Sequence, residues 1–179
     1  MRLSRATRRA VLLLHLLASL SWIGVDLAIG VLSFTGLTTD DPRTMAIAYT
    51  ALGYFAVPLL LVLGLATLAT GVTLASGTRF GLARYWWVVV KLAIGVVLTS
   101  LVVVALRPVL HDAAQQSAVV DASLPDRLAA VRFDLIFPPL VSTTALVFSA
   151  WLGFYKPWSR LPWATRSDHA DKAQPVRAR

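Results

Sequence analysis

Four long apolar stretches, separated by short polar segments, dominate the pattern of the chain. A bilayer core of about 30 Å is crossed by roughly 20 residues of α-helix, because each residue adds about 1.5 Å along the axis. Lipid offers the backbone no hydrogen-bond partner, and none of the stretches alternates polar and apolar residues, so helices and not barrel strands are predicted. The predicted spans cover about residues 10–34, 54–76, 85–106 and 132–155.

The distribution of basic residues sets the predicted orientation, since Lys and Arg near span ends are retained on the cytoplasmic side. They dominate before span one, between spans two and three, and after span four. The prediction is an all-α fold, a four-transmembrane-helix up-and-down bundle with both termini inside (N-in/C-in), in a bacterial cytoplasmic membrane. Its parts are a basic cytoplasmic N-terminus (1–9), the transmembrane domain (10–156) and a basic, disordered cytoplasmic tail (157–179).

Turn chemistry refines the outer loops. Asp41 suits an N-cap and Pro42 the first helical position, so the second helix is predicted to begin here and to project outward from the membrane. Ser123 with Asp126 three residues later resembles a capping box, which predicts that the fourth helix starts in the outer loop. The proline pair at 138–139 is predicted to kink that helix inside the bilayer.

Composition and charge support the membrane interpretation. Hydrophobic residues make up 57% of the 179 positions and charged residues only 15%, which is more apolar than a soluble domain of this length can bury. The absence of cysteine excludes disulfides, thiolate metal sites and iron–sulfur clusters. The net charge of +8 comes from basic residues beside apolar segments, which indicates anionic lipids as partners and no nucleic acid.

Polar residues inside the spans are candidate functional groups, because an ionisable side chain in lipid is costly. In span one, a spacing of i, i+4, i+7 and i+11 places four of them on a single helical stripe. They are His15, Ser19, Trp22 and Asp26. Span three contains Lys91, at a distance from the cytoplasmic boundary similar to that of His15, so the two side chains are predicted to meet.

Asp26 lies about 16 Å further out than His15, where Arg107 or Arg132 are candidate ion-pair partners. Structural alternatives remain open for each ionisable group. Lys91 can snorkel to lipid phosphates, His15 can simply form a hydrogen bond to a neighbouring helix, and an Asp26 ion pair can be purely structural. Two further faces carry small residues, a packing seam of Thr67, Gly71 and Ala75 in span two and a weakly polar face of Ser142, Ala145 and Ser149 in span four.

Short motifs give the chain a family resemblance. They are His15 followed by Trp22 and Gly24 in span one, and Arg84-Tyr85-Trp86-Trp87 followed by Lys91-Leu92 in span three. Together they resemble a superfamily of small bacterial membrane proteins that includes the copper-resistance D type proteins and the four-helix protoporphyrinogen oxidases. Over about residues 11–110 the chain is similar to an uncharacterised four-helix family of bacterial membrane proteins. That similarity rests on Gly36-Leu37-Thr38, Pro58, Gly71, Gly77-Thr78 and the segment from Gly81 to Lys91.

The superfamily resemblance implies haem or metal handling. A cofactor-binding site would use His15 as ligand or proton-transfer group, Trp22 as a packing surface, and Arg84 with Lys91 to meet an anionic propionate. The scarcity of methionine and histidine disfavours copper transport, and His15 would be the sole imidazole ligand of a haem within one chain. The pattern assigns no metal site and no catalytic residue.

Three functions therefore stay open. The first is a haem-binding or redox-associated membrane protein. The second is a non-enzymatic membrane subunit or scaffold that packs against a partner through its small residues. The third is a small transporter or channel component that uses the stripe from His15 to Asp26, for which four helices would require a homo-oligomer or a membrane partner.

Overall fold

The computed structural model describes residues 3–77 and 85–155, and within these ranges the regular secondary structure is helical. The helices are α1 (Arg5–Thr38), α2 (Pro42–Ser76), α3 (Trp86–Leu101), α4 (Arg107–Gln116), α5 (Leu124–Arg127), α6 (Ala129–Asp134) and α7 (Phe137–Tyr155), and a π-helical segment (Val102–Leu106) joins α3 to α4. The prediction of four long apolar helical segments is confirmed. Those long enough to cross a membrane are Arg5–Thr38, Pro42–Ser76, Trp86–Gln116 and Ala129–Tyr155.

The four long segments form a ring in which each contacts its two neighbours, α1 with α2 and α7, and α3 with α2 and α7. Residues early in α1 meet residues late in α2, as His15 does at Gly71, whereas Gly36 near the end of α1 meets Tyr49 near the start of α2. Helices α2 and α3 are antiparallel in the same way, because Gly64 meets Thr99 whereas Leu68, later in α2, meets Gly95, earlier in α3. The bundle is therefore up-and-down, as predicted.

The first turn of α2 follows the sequence prediction. Asp41 is the N-cap and its carboxylate accepts hydrogen bonds from the backbone N–H groups of Arg43 and Thr44, while Pro42 occupies the first helical position. A helix does begin after Ser123, as predicted, with Ser123 as the N-cap residue of α5, but the side-chain hydrogen bonds of a capping box are absent. The Ser123 hydroxyl bonds Asp121 and Arg127 and makes no cap hydrogen bond to α5.

The proline pair at 138–139 does not kink a continuous helix, which corrects the second prediction for this region. Both prolines lie in the first turn of α7, where the missing N–H groups have no intrahelical partner to lose. The helix is interrupted just before them by a turn at residues 135–136, between α6 and α7. The fourth apolar segment is thus two helices, preceded by the short α5.

The π-helical segment has an identifiable cause. Pro108 cannot donate to the carbonyl of Val104, and its ring would clash with that carbonyl in a regular α-helix. The wider turn avoids the clash, and the N–H of Arg107 bonds the carbonyl of Val102, five residues earlier.

The most completely buried core lies at the end of the bundle where α2 begins and α4 to α6 pack beside it. Its fully buried members are Met45, Tyr49, Leu52, Leu110, Ala113, Leu124, Leu128 and Leu135. Elsewhere the outward faces of the long helices carry large exposed apolar side chains, such as Leu13, Leu20 and Leu65. Such a surface is unsuited to water and suited to lipid.

Candidate functional site

The His15 ring is held between α1 and α2. Its Nδ1 lies 3.1 Å from the carbonyl oxygen of Thr67 and 3.0 Å from the hydroxyl of Thr70. A carbonyl can only accept, so Nδ1 carries the proton and Nε2 keeps its lone pair. Gly71 packs against the ring, since a Cβ there would stand 3.3 Å from Cε1. This part of the predicted small-residue seam is therefore a packing contact for His15.

Lys91 approaches the same region from α3. Its ammonium interacts electrostatically with His15 and lies beside Gly153 of α7, where an added Cβ would stand 2.8 Å from Nζ. The two side chains lie within electrostatic range of each other, but no hydrogen bond joins them in the described part of the chain, so their predicted meeting stays a prediction. Arg84, the third candidate of this group, lies outside the described residues, as does the tail 157–179.

Ser19 and Trp22 complete the inner half of the stripe. The hydroxyl of Ser19 donates to the backbone carbonyl of His15 at 2.8 Å, so it is satisfied within its own helix. The indole of Trp22 is 1% exposed and packs against Gly64 of α2, which also lies beside the Thr99 hydroxyl of α3. A large aromatic ring therefore fills the bundle interior between the level of His15 and the level of Asp26.

Asp26 is the most deeply buried carboxyl group in the part of the chain that the structure describes, with 2% of its surface exposed. Its Oδ2 has no hydrogen-bond partner among the described residues. Neither Arg107 nor Arg132 forms an ion pair with Asp26. The one ion pair within ranges 3–77 and 85–155 joins Arg127 to Asp121. The candidate partners assigned to Asp26 from the sequence are therefore not its partners in this structure.

A cavity of about 430 Å³ lies beside Asp26. Its wall takes residues from α1, α2, α3, the π-helical segment and the junction of α6 with α7. Of the described residues that line it, three are polar, namely Asp26, Asp134 and Ser142, and none is a lysine, arginine or histidine. The Ser142 hydroxyl faces Asp26 and also has no hydrogen-bond partner within the described ranges.

The cavity is reached from the outer surface of the bundle. Leu101 on the α3 side and Phe137 and Val141 on the α7 side line it and are also well exposed, the last two by 60% and 54%. Asp134 is exposed at the same rim. These apolar residues face outward between two long helices. The cavity therefore opens on the apolar outer surface of the bundle.

Asp134 was not predicted from the sequence as a site residue, and Ser142 was predicted only to lie on a weakly polar face. The sequence feature that could have indicated Asp134 as a site residue is its position two residues before Ile136-Phe137-Pro138, at the edge of an apolar span. None of the residues that the family resemblance implies for haem lines this cavity: His15, Trp22 and Lys91 lie elsewhere in the bundle, and Arg84 is outside the described ranges.

Comparisons of the chain with protein-family models, with curated proteins and with solved structures found no match.

Proposed function

We propose that the protein is a multi-pass protein of a bacterial plasma membrane that binds a small, largely apolar molecule in the Asp26 cavity, as a small transporter component would. The observation that carries the proposal is the carboxyl group of Asp26, which is 2% exposed and has an unpartnered Oδ2 beside an apolar cavity. Polar groups buried without a partner are costly, so their presence in a cavity is typical of a binding site.

The cavity has the dimensions and the chemistry of a ligand site. Ligand cavities span about 300–1,000 Å³ and combine apolar walls with a few polar groups that orient the ligand. The 430 Å³ beside Asp26 fall within that range, and the polar groups are concentrated at Asp26, Ser142 and Asp134. The exposed rim at Phe137 and Val141 supports entry of the ligand from lipid and not from water.

The proposed topology keeps both termini in the cytoplasm, for which the basic residues near the span ends are the support. It places Asp26 in the outer half of the membrane and His15 in the inner half. Anionic lipids are the proposed partners of the basic ends, and a second copy or another membrane protein would complete a transport route. The charge pattern favours no nucleic-acid partner.

Photolabelling in lipid nanodiscs tests the ligand site. The probe is 3-trifluoromethyl-3-phenyldiazirine, a neutral apolar molecule, and labelled residues are mapped by mass spectrometry. Labelling of lipid-facing residues should rise linearly with probe concentration, whereas labelling at the cavity wall should saturate. Ser142→Phe, which fills the cavity, should abolish the saturable part, and Val147→Phe on an exposed face of the same helix should leave it unchanged. Labelling without a saturable component would reject the ligand site.

A second candidate function is haem binding through His15. The hydrogen bond from Nδ1 to the Thr67 carbonyl is the arrangement that histidine ligands use, because it fixes the ring and directs the Nε2 lone pair at the metal. Here His15 would hold the iron and Lys91 a propionate. A Soret band that shifts on reduction and disappears in His15→Ala would establish this function, and a colourless protein after haem addition would reject it.

A further inference from the structure

We infer, on the basis of the proposed ligand site, that the molecule bound there is a lipophilic organic monocation, which exchanges for the proton of Asp26. The charges around the cavity indicate the sign of the ligand. Among the described residues, two carboxyl groups and no basic side chain line it, and the deeper carboxyl group has one oxygen without a partner. An anionic ligand would meet only carboxyl groups there, and a neutral ligand would make no use of the negative charge that Asp26 carries once its proton has left.

Burial without a counter-ion favours the uncharged form of Asp26. An ionised carboxylate buried without a counter-ion is far less stable than one in water. The Ser142 hydroxyl lines the cavity beside Asp26 without a hydrogen-bond partner of its own, and no basic residue lies within ion-pair distance of Asp26 in the described part of the chain. A bound cation supplies the missing charge, so binding and proton release are coupled at this one carboxyl group.

The exchange balances without any other reactant. The O–H bond of the Asp26 carboxyl group breaks, the proton leaves to water, and the carboxylate forms an ion pair with the cation. No covalent bond forms to the ligand and no electron is transferred. One proton is released for each monocation that binds.

The positions of the other titratable groups indicate that the proton released on cation binding comes from Asp26. On α6, Asp134 lines the rim and is exposed, which suits attraction of a cation at the entrance. The lining residues from α2, α3, the π-helical segment and α7 carry no ionisable side chain. On α1 the nearest ionisable group towards the other end is His15, 11 residues or about 16 Å away along the helix and beyond Trp22.

The apolar walls decide the kind of cation. Inorganic cations need several oxygen ligands at short distance, whereas this wall offers two carboxyl groups and one hydroxyl among apolar side chains. An organic ammonium group with attached apolar groups matches both features. The ring of Phe137 at the rim adds a face to which a quaternary ammonium is attracted.

The test uses two diazirine probes of the same shape, a phenyl ring that carries either trimethylammonium or the isosteric, neutral tert-butyl group. Full-length protein in nanodiscs is photolabelled with each, for wild type, Asp26→Asn and Asp112→Asn. Asp112 is an exposed aspartate that does not line the cavity and serves as the control. We expect Asp26→Asn to weaken saturable labelling by the cation about tenfold or more, with labelling by the neutral probe unchanged. Asp112→Asn should change neither.

Proton release provides the second readout. In weakly buffered suspension, saturation of wild type with the cationic probe should release about one proton per bound cation, and the neutral probe none. Asp26→Asn should release none with either probe. Equal affinity of wild type and Asp26→Asn for the cation, or binding without proton release, would overturn the inference.

The neutral probe keeps the two proposals distinguishable. If neither probe labels the cavity of wild type, the ligand site itself fails. If the neutral probe labels it and the cation does not, or labels it without dependence on Asp26, only the choice of a cation fails. Retained neutral labelling in Asp26→Asn also shows that this variant has folded.

Discussion

His15 donates a hydrogen bond from Nδ1 to the backbone carbonyl oxygen of Thr67, 3.1 Å away, and so joins α1 to α2. Inside an apolar bundle this bond, together with the contact between Nδ1 and the Thr70 hydroxyl, gives the polar ring partners on the neighbouring helix. The carbonyl belongs to a residue whose own hydroxyl has no hydrogen-bond partner within the described ranges. The bond therefore defines a structural role for His15, whether or not Nε2 also holds a cofactor.

The first prediction concerns this bond. His15→Leu should lower the free energy of unfolding by about 0.5–2 kcal/mol, since hydrogen bonds between membrane helices contribute about 0.6 and at most about 1.7 kcal/mol. Titration with sodium dodecyl sulfate in mixed micelles, followed by circular dichroism, measures the change. His111→Leu is the control, because His111 is exposed and bonds Gln115 on its own helix. Equal effects of the two substitutions would show that the bond to Thr67 stabilises nothing.

The second prediction compares two glycines. A Cβ at Gly64 would stand 2.7 Å from the Thr99 hydroxyl and 2.9 Å from Cζ3 of Trp22, whereas nothing lies within 4 Å of a Cβ at Gly30. Gly64→Ala should destabilise the bundle by about 1–3 kcal/mol through overpacking. Gly30→Ala should be neutral or stabilising by up to about 1 kcal/mol, because alanine favours a helix. The same titration measures both variants, and a stabilised Gly64→Ala would contradict the close packing at Trp22.

The stripe at Trp22 and Asp26 shows what the sequence predicted of the site and what it did not. Helical spacing placed both residues on the inward face, which the structure confirms by their burial. The cavity is lined by residues of the π-helical segment before Pro108 and of the break at 135–136. A proline predicts that a helix is disturbed, but its position in the sequence does not decide between a wider turn, a break and a kink. The absence of an ion pair at Asp26 likewise depends on where each arginine side chain is directed.

The third prediction is a pH dependence at the start of α2. Hydrogen bonds from the side chain and backbone N–H of Thr44 hold the pKa of Asp41 below its usual range. A carboxyl group with a lowered folded-state pKa stabilises the fold above its unfolded pKa of about 3.9, and this stabilisation is lost as the pH falls through the lower folded value.

Amide hydrogen exchange can follow this loss. Protection of the Arg43 and Thr44 amides should decrease as the pH is lowered below about 4, after correction for the intrinsic exchange rate. Asp41→Ala should reduce protection already at neutral pH. Asp40→Ala should not, because the Asp40 side chain accepts no hydrogen bond in the described part of the chain. Unchanged protection in Asp41→Ala would contradict the capping role.

The fourth prediction concerns the loop between α4 and α5. The guanidinium of Arg127 donates to Asp121 Oδ1 at 2.8 Å and to the carbonyl of Val119 at 2.7 Å, and so closes the loop. Arg127→Lys should open the loop almost as fully as Arg127→Ala, since one ammonium group cannot make both hydrogen bonds of the planar guanidinium. Limited proteolysis between residues 117 and 123 should accelerate several-fold in both variants. Arg107→Ala, at an exposed arginine, is the control, and rescue by lysine would show that charge alone holds the loop.

The fifth prediction connects the π-helical segment to the cavity. Pro108→Ala restores an N–H that can bond the carbonyl of Val104, so the wide turn should revert towards a regular α-helix. The wall formed by Val102 and Leu106 would then move, and saturable labelling by the neutral diazirine should fall several-fold. Pro58→Ala is the matched control, because Pro58 lies inside α2 and does not line the cavity. If both variants label as wild type does, the cavity does not depend on the wide turn, and its shape is set by the break between α6 and α7 instead.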